Sequence, residues 1–397
     1  MAEPKLQNSK KRVLIIGPTP PPNHGVSIAT RSLLESNLNE SFSLLHLDTA
    51  DRRGIEHVDK PDLHDLFLFL KQWFQLIRIL ITKRPEITYL PISQSTIGFL
   101  RDSQFIWPAY LFKSRVILHL HGGNFRSWFE SRTIFNKAYI RTVLNRISLI
   151  LILGESFRSI FRELVPDRKI MVVPNGIDWP ATDVMLENRQ KFLKDKFRVL
   201  FVGTLSRLKG VHLLLSSIRG VIEKRKNVEF IFAGKWYSDA DRQIGERIIK
   251  ENEIQPYLKF IGEVNGRDKF AAYQNADLFV FPSIQQEGQP LVVIEAMASG
   301  LAILYSNRGC LKETVIPDEM GVEFEPENIN ELTDKIIRLS DDSKKLARMG
   351  IQSRLRYEKF YTLEQFTEKI ARAFEFDSRK GFYSALTRLD KDRKSVG

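Results

Sequence analysis

Cysteine is nearly absent: Cys310 stands alone in 397 residues. No intrachain disulfide can form, which fits a reducing cytoplasm. Long apolar runs are missing too. The most apolar window, Leu66 to Ile81, is interrupted by Lys71 and Arg78, so no membrane span is expected. The start, KKRVLIIGPTPPP, has an apolar run of five residues that ends in prolines. It reads as a strand and not as a signal peptide. The loop after it, PTPPPNHG, is not a G-x-G-x-x-G dinucleotide loop. Internal repeats and low-complexity segments are lacking. Acidic residues are the scarcer sign, with 48 Asp and Glu against 60 Lys and Arg and a net charge of +12. The excess is local: residues 101–150 hold eight Lys or Arg against Asp102 and Glu130 alone. Such a patch fits an anionic membrane surface or nucleic acid, but no nucleic-acid module accompanies it, so no nucleic-acid partner is expected.

A hydrophobic content of 43% and this length are enough for two separate cores. Strand-like and helix-like segments alternate through the chain, which argues for α/β domains with parallel sheets. In the first half, RVLIIG (Arg12–Gly17) is a strand, and a helix is expected from Val26 to about Asn37. Gly25, at the end of the proline-rich loop, would let backbone approach a ligand closely. RVILHLHGG (Arg115–Gly123) reads as a strand with His119 and His121 on one face by its period of two. His119 is expected to be packed. His121, at the carboxyl end, is the functional candidate, because that edge of an open α/β sheet faces the ligand. Residues 124–146 mix aromatics with Arg126, Arg132, Lys137, Arg141 and Arg146. That is either a solvated helix face or a surface for anionic lipid. Glu155 to Leu164 is expected to be helical.

The second half opens with RVLFVGTLSRLKG (Arg198–Gly210), a strand and a short loop. The next helix carries Val211, Leu214, Leu215, Ile218, Val221 and Ile222 on one face. Lys209 sits at the start of that helix, where a cation opposes the helix dipole; this argues for an anion nearby. The most telling stretch is ADLFVFPSIQQEGQPLVVIEAMASGLAILYS, from Ala276 to Ser306. It reads as strand, loop, helix, strand, with Pro290 at the first helical position and Gly300 at the stop. Glu287 lies in the loop and Glu295 inside the helix. The N–H groups near Gln289 and Leu291 would point out of the helix N-terminus, a place for phosphate. Carboxylate, phosphate cradle and second carboxylate together suit a nucleotide sugar. A single amphipathic helix is expected from Tyr357 to Phe376.

The segment EGQPLVVIEAMASG resembles the E-x7-E signature of retaining glycosyltransferases of family 4, and the resemblance extends over roughly residues 12–376. It implies the GT-B fold: two doubly wound parallel-sheet domains facing a cleft. The expected parts are an acceptor-side domain at 1–180, a linker at 181–197, a nucleotide-sugar domain at 198–356, a crossover helix at 357–376 and a charged tail at 377–397. The implied activity is transfer of a hexose-type sugar from a nucleotide diphosphate sugar, UDP by family frequency, to a hydroxyl. The acceptor would be lipid-linked or polysaccharide, in cell-surface glycan synthesis. No metal and no cofactor beyond the co-substrate are implied. The implied location is the cytoplasm, with a peripheral position at the inner face of the plasma membrane open.

By the same resemblance, Lys209 and the backbone at Gly288, Gln289, Pro290 and Leu291 hold the donor diphosphate. Glu287 hydrogen-bonds the sugar hydroxyls or backs the oxocarbenium-like centre, Glu295 meets the ribose hydroxyls, and Gly25 and His121 lie near donor and transferred sugar; His121, Lys209 and Glu287 are the implied catalytic residues. The sequence departs from the family at Thr204, where an arginine is usual. Arg207 is the candidate to replace it. That departure keeps an inactive binding or scaffold subunit open as an alternative, beside a nucleotide-sugar epimerase of similar fold.

Overall fold

In this computed structural model, residues 10–21, 25–52, 63–180 and 196–376 are described. The expected linker, but for its last two residues, lies outside them, as do the charged tail and His24. The chain divides into two units. The first comprises residues 1–175 with 366–397, and the second residues 176–365.

The first unit is built on six strands: β1 (Lys11–Gly17), β2 (Phe42–Asp48), β3 (Ile87–Pro91), β4 (Arg115–His119), β5 (Leu149–Ile152) and β6 (Ile170–Val172). They lie in the order β2-β1-β3-β4-β5-β6, and every pairing is parallel. Short continuous apolar runs explain this. Val13 to Ile16 and Leu149 to Ile152 are buried throughout, as strands covered by helices on both faces must be. Parallel neighbours need crossovers, and the helices Gly25–Leu34, Leu63–Lys83, Thr96–Leu111 and Ile134–Arg146 supply them. The helix after β1 therefore stops three residues before the expected Asn37. Strand β4 also ends earlier than expected, at His119, so His121 lies beyond the strand. Residues 155–164 are not an α-helix: Glu155–Phe161 is a 3₁₀ helix.

The second unit repeats the plan with β7 (Phe197–Val202), β8 (Val228–Ala233), β9 (Leu258–Gly262), β10 (Leu278–Phe281), β11 (Ala302–Ser306) and β12 (Gly321–Phe324). Their order is β12-β11-β10-β7-β8-β9. Alternation along the strands divides the core between the two faces. Leu200, Phe279 and Ile303 join Tyr273 and Met297 on one; Phe201, Leu278 and Leu304 join Leu214 and Ile218 on the other. The helix Val211–Lys224 buries the six apolar residues its period predicts. Strand order reverses between β7 and β10, and the carboxyl ends at such a reversal form a crevice that ligands use.

The single helix expected at 357–376 is two helices, Ser343–Phe360 and Leu363–Glu375. The break has a physical cause. Ile177 donates its N–H to Tyr361 O (3.0 Å), and its carbonyl accepts from Leu363 N–H (2.9 Å). Backbone groups that would continue the helix are used by the outgoing chain instead. The second of these helices buries Phe366, Ile370 and Phe374, and Phe374 meets Phe42 and Tyr89 edge-on in the first unit.

Candidate active site

The loops leaving β7 and β10 are laced together. Ile284 N–H donates to Leu208 O (3.0 Å). Gly210 has φ +76, and a Cβ on it would lie 1.9 Å from Pro282 O. Only glycine fits so close an approach at that backbone angle. The lacing brings Lys209 to Glu287: Nζ lies 2.7 Å from Oε1 and 3.0 Å from Oε2. Ser283 Oγ lies 2.5 Å from the same Oε1, and Gln285 Nε2 donates to it at 3.0 Å. The ammonium also sits 5.7 Å from the centre of the Phe281 ring. Glu287 is 6% exposed. A carboxylate so enclosed is tolerable only because it is paired and hydrogen-bonded. From behind, Gly309 presses on the Glu287 carbonyl, where a Cβ would come within 1.7 Å.

Gly288 and Gln289 are buried in the following loop. Gln289 Nε2 donates to Thr314 Oγ1 (3.2 Å). Pro290 is the cap of the helix Leu291–Ala298, one position earlier than expected, with φ −64 and ψ 125. Its extended ψ keeps it out of the helix, while its carbonyl accepts from Val293 and Ile294. The N–H groups of Leu291 and Val292 head the helix, at its positive end. Gly300, with φ +65, ends the unit as expected.

Glu295, one turn before the helix ends, is also 6% exposed. Lys269 Nζ lies 2.5 Å from Oε1, and the Tyr273 hydroxyl donates to Oε2 at 2.9 Å. Burial, followed by the charge of Glu295, pushes the Tyr273 phenol well above its ordinary range, so it remains a donor. The sequence reading missed Lys269 and Tyr273. Their signal was the i, i+4 spacing on the helix Gly266–Asn275, which puts both on one face.

Arg207 is exposed, and its backbone N–H is tied to Asp241 Oδ1 (2.8 Å). Thr204 is exposed as well. Gly25 and His121 belong to the first unit. Gly25 opens the helix after β1, and an added Cβ would meet nothing within 4 Å, so packing alone does not demand glycine there. His119 is packed, as expected. It is fully buried, its Nδ1 lies 2.7 Å from Tyr89 OH, and burial and then the neighbouring His121 hold its pKa well below the ordinary range. His121 is half-buried, its ring centre 4.1 Å from that of His119. Among the described residues, no three His, Cys, Asp or Glu converge as a metal site.

The sequence model of the family described as Glycosyl transferases group 1 matches residues 185–356. The match spans most of the second unit. Spore coat protein SA of Bacillus subtilis is 32% identical to the chain over 199 residues, 46% of this chain and 50% of that protein. The capsular polysaccharide biosynthesis glycosyltransferase CapM of Staphylococcus aureus is 25% identical over 249 residues, 59% of this chain and 64% of that protein. The chain thus aligns with half to two thirds of these relatives' lengths. The structure of Anabaena HepE in complex with UDP and glucose matches with a TM-score of 0.68 and 16% identity over 92% of this chain and 99% of that one. That likeness shows the fold: the two units are those of the GT-B architecture.

Proposed function

We propose that the chain is a retaining glycosyltransferase that moves a hexose-type sugar from a UDP-sugar to a hydroxyl of a lipid-linked or polysaccharide acceptor. The observation that carries this reading is the Lys209–Glu287 pair at the strand-order reversal, ahead of the N-terminus of the helix Leu291–Ala298. A cation, first-turn amides and a carboxylate stand together where a diphosphate joined to a sugar needs them. HepE, of the same fold, was solved with UDP and glucose, and CapM is named for capsular polysaccharide synthesis.

In this reading Lys209 and the amides of Leu291 and Val292 stabilise the departing diphosphate, so the reaction calls for no metal. Glu287 meets the sugar hydroxyls, and Glu295 the ribose. His121 keeps the sugar-pocket role given by the resemblance, Gly25 its place near the donor, and Arg207 the place of the arginine absent at Thr204. The bond from the anomeric carbon to the diphosphate oxygen breaks. The acceptor oxygen bonds that carbon on the same face, and its proton passes to the leaving phosphate. An anionic membrane surface is the proposed partner of the first unit. No helix among the described residues is long and apolar enough to cross a membrane, and contact at the inner face of the plasma membrane needs none.

The test is release of nucleoside diphosphate from UDP-, GDP- and ADP-sugars, without acceptor or added metal. Wild type should hydrolyse one donor slowly, and Lys209→Ala should lower the rate about 10²-fold or more. Silence across the panel, with no thermal shift from any nucleotide, would favour the scaffold reading that Thr204 keeps open.

A further inference from the structure

Glu295 is over-determined for a simple surface contact. Both of its oxygens are already engaged, one by Lys269 and one by Tyr273. A carboxylate offers about four lone-pair sites. Two partners fix its plane and leave about two sites, the number a vicinal diol requires. Lys269 also offsets the carboxylate's charge, which matters if a ligand carrying a diphosphate is to lie nearby. Lys269 and Tyr273 reach Glu295 from a separate helix, and that helix is itself held. The Trp179 ring stands against Tyr273 at 5.4 Å and against Phe270 at 5.8 Å. Its Nε1–H donates to Ser299 Oγ (2.7 Å), just beyond the end of the Glu295 helix. Tyr273 is fully buried, and the half-buried Lys269 is tied to Glu295 through its ammonium.

We propose that Lys269 and Tyr273 are positioning residues for ribose recognition: they hold the Glu295 carboxylate in the plane that accepts the two ribose hydroxyls of the donor nucleotide. The proposal rests on the ribose role given to Glu295 above. Neither residue need touch the nucleotide; each acts by fixing the group that does.

The experiment compares binding of UDP and 2′-deoxy-UDP by calorimetry. A merely structural loss weakens both ligands alike, whereas a positioning loss weakens UDP, which offers two hydroxyls, more than 2′-deoxy-UDP, which offers one. Wild type should favour UDP by about tenfold or more, the scale of a hydrogen bond to a charged group. Glu295→Gln should remove most of that preference. Tyr273→Phe and Lys269→Met should each cut it several-fold, with UDP losing more affinity than 2′-deoxy-UDP. Lys269→Arg should retain it, since the charge-assisted contact survives. Tyr273→Phe keeps the ring against Trp179 and so keeps the fold.

If Glu295→Gln loses the preference but Tyr273→Phe and Lys269→Met keep it, the positioning role is overturned and the ribose role stands. An equal fall for both ligands in those two variants overturns it too. A wild type without preference, or a Glu295→Gln variant that retains it, overturns the ribose role and the proposal together.

Discussion

At the scale of single residues, the site depends on a few backbone positions as much as on its charges. Gly210 lets the loop from β7 pass against Pro282, and this contact sets Lys209 within 2.7 Å of Glu287. Gly210→Ala would place a Cβ in conflict with a carbonyl, at a φ that L residues rarely adopt. The expected loss is at least about 1–3 kcal/mol, measured by urea unfolding. A variant as stable as wild type would contradict the close approach. The residue scale is also where the sequence was least complete. Lys209, Glu287 and Glu295 were legible because motif and spacing mark them. Lys269 and Tyr273 were not, because their meaning depends on a second helix lying alongside the Glu295 helix. Arg207, two residues before Lys209, is exposed, with its backbone N–H bonded to Asp241.

At the scale of elements, the helix Leu63–Lys83 changes where a membrane contact is expected. The charge pattern pointed to residues 101–146. In the structure this earlier helix exposes Leu63, Leu66, Phe67, Leu70, Phe74 and Ile81, between 43% and 86% each. Exposed apolar side chains in such number mark an interaction surface. Residues 63–146 carry twelve Lys or Arg against four Asp or Glu, a balance that suits the anionic bilayer proposed as partner. The chain should co-sediment with vesicles containing phosphatidylglycerol, more weakly with phosphatidylcholine alone, and less as salt rises. Phe67→Ser with Phe74→Ser should lower that binding at least about tenfold, since each ring contributes on the order of 1.5–3 kcal/mol when buried. Binding unchanged by the pair, or no binding to either vesicle, would remove the helix from the account. Apolar periodicity alone could not show this, because a stripe facing lipid and a stripe facing a core look the same in sequence.

At the scale of the whole molecule, two sheets carry two cores, and each unit holds its own share of the stability. Calorimetric unfolding should show two transitions. A nucleoside diphosphate at about 100 times its Kd should add about 2.7 kcal/mol to one of them, and Gly210→Ala should lower the same one. A single transition moved by neither would refute the assignment of the nucleotide to the second unit. Much of this plan was written in the sequence. Apolar runs such as Val13–Ile16 and Leu278–Phe281, bounded by polar residues, read as strands buried on both faces. The 3.6-residue period fixed the helix Val211–Lys224, and the E-x7-E segment marked the site. All of these are local signals, set by which side chains lie a few residues apart. Tertiary structure decided the rest. It broke the last helix at Tyr361 because Ile177 takes the backbone bonds there. It ended β4 at His119 and left His121 outside the strand. It closed Lys209 onto Glu287 across 78 residues, and Lys269 and Tyr273 onto Glu295. Such pairings between distant segments follow from strand order and close packing, which no local pattern encodes.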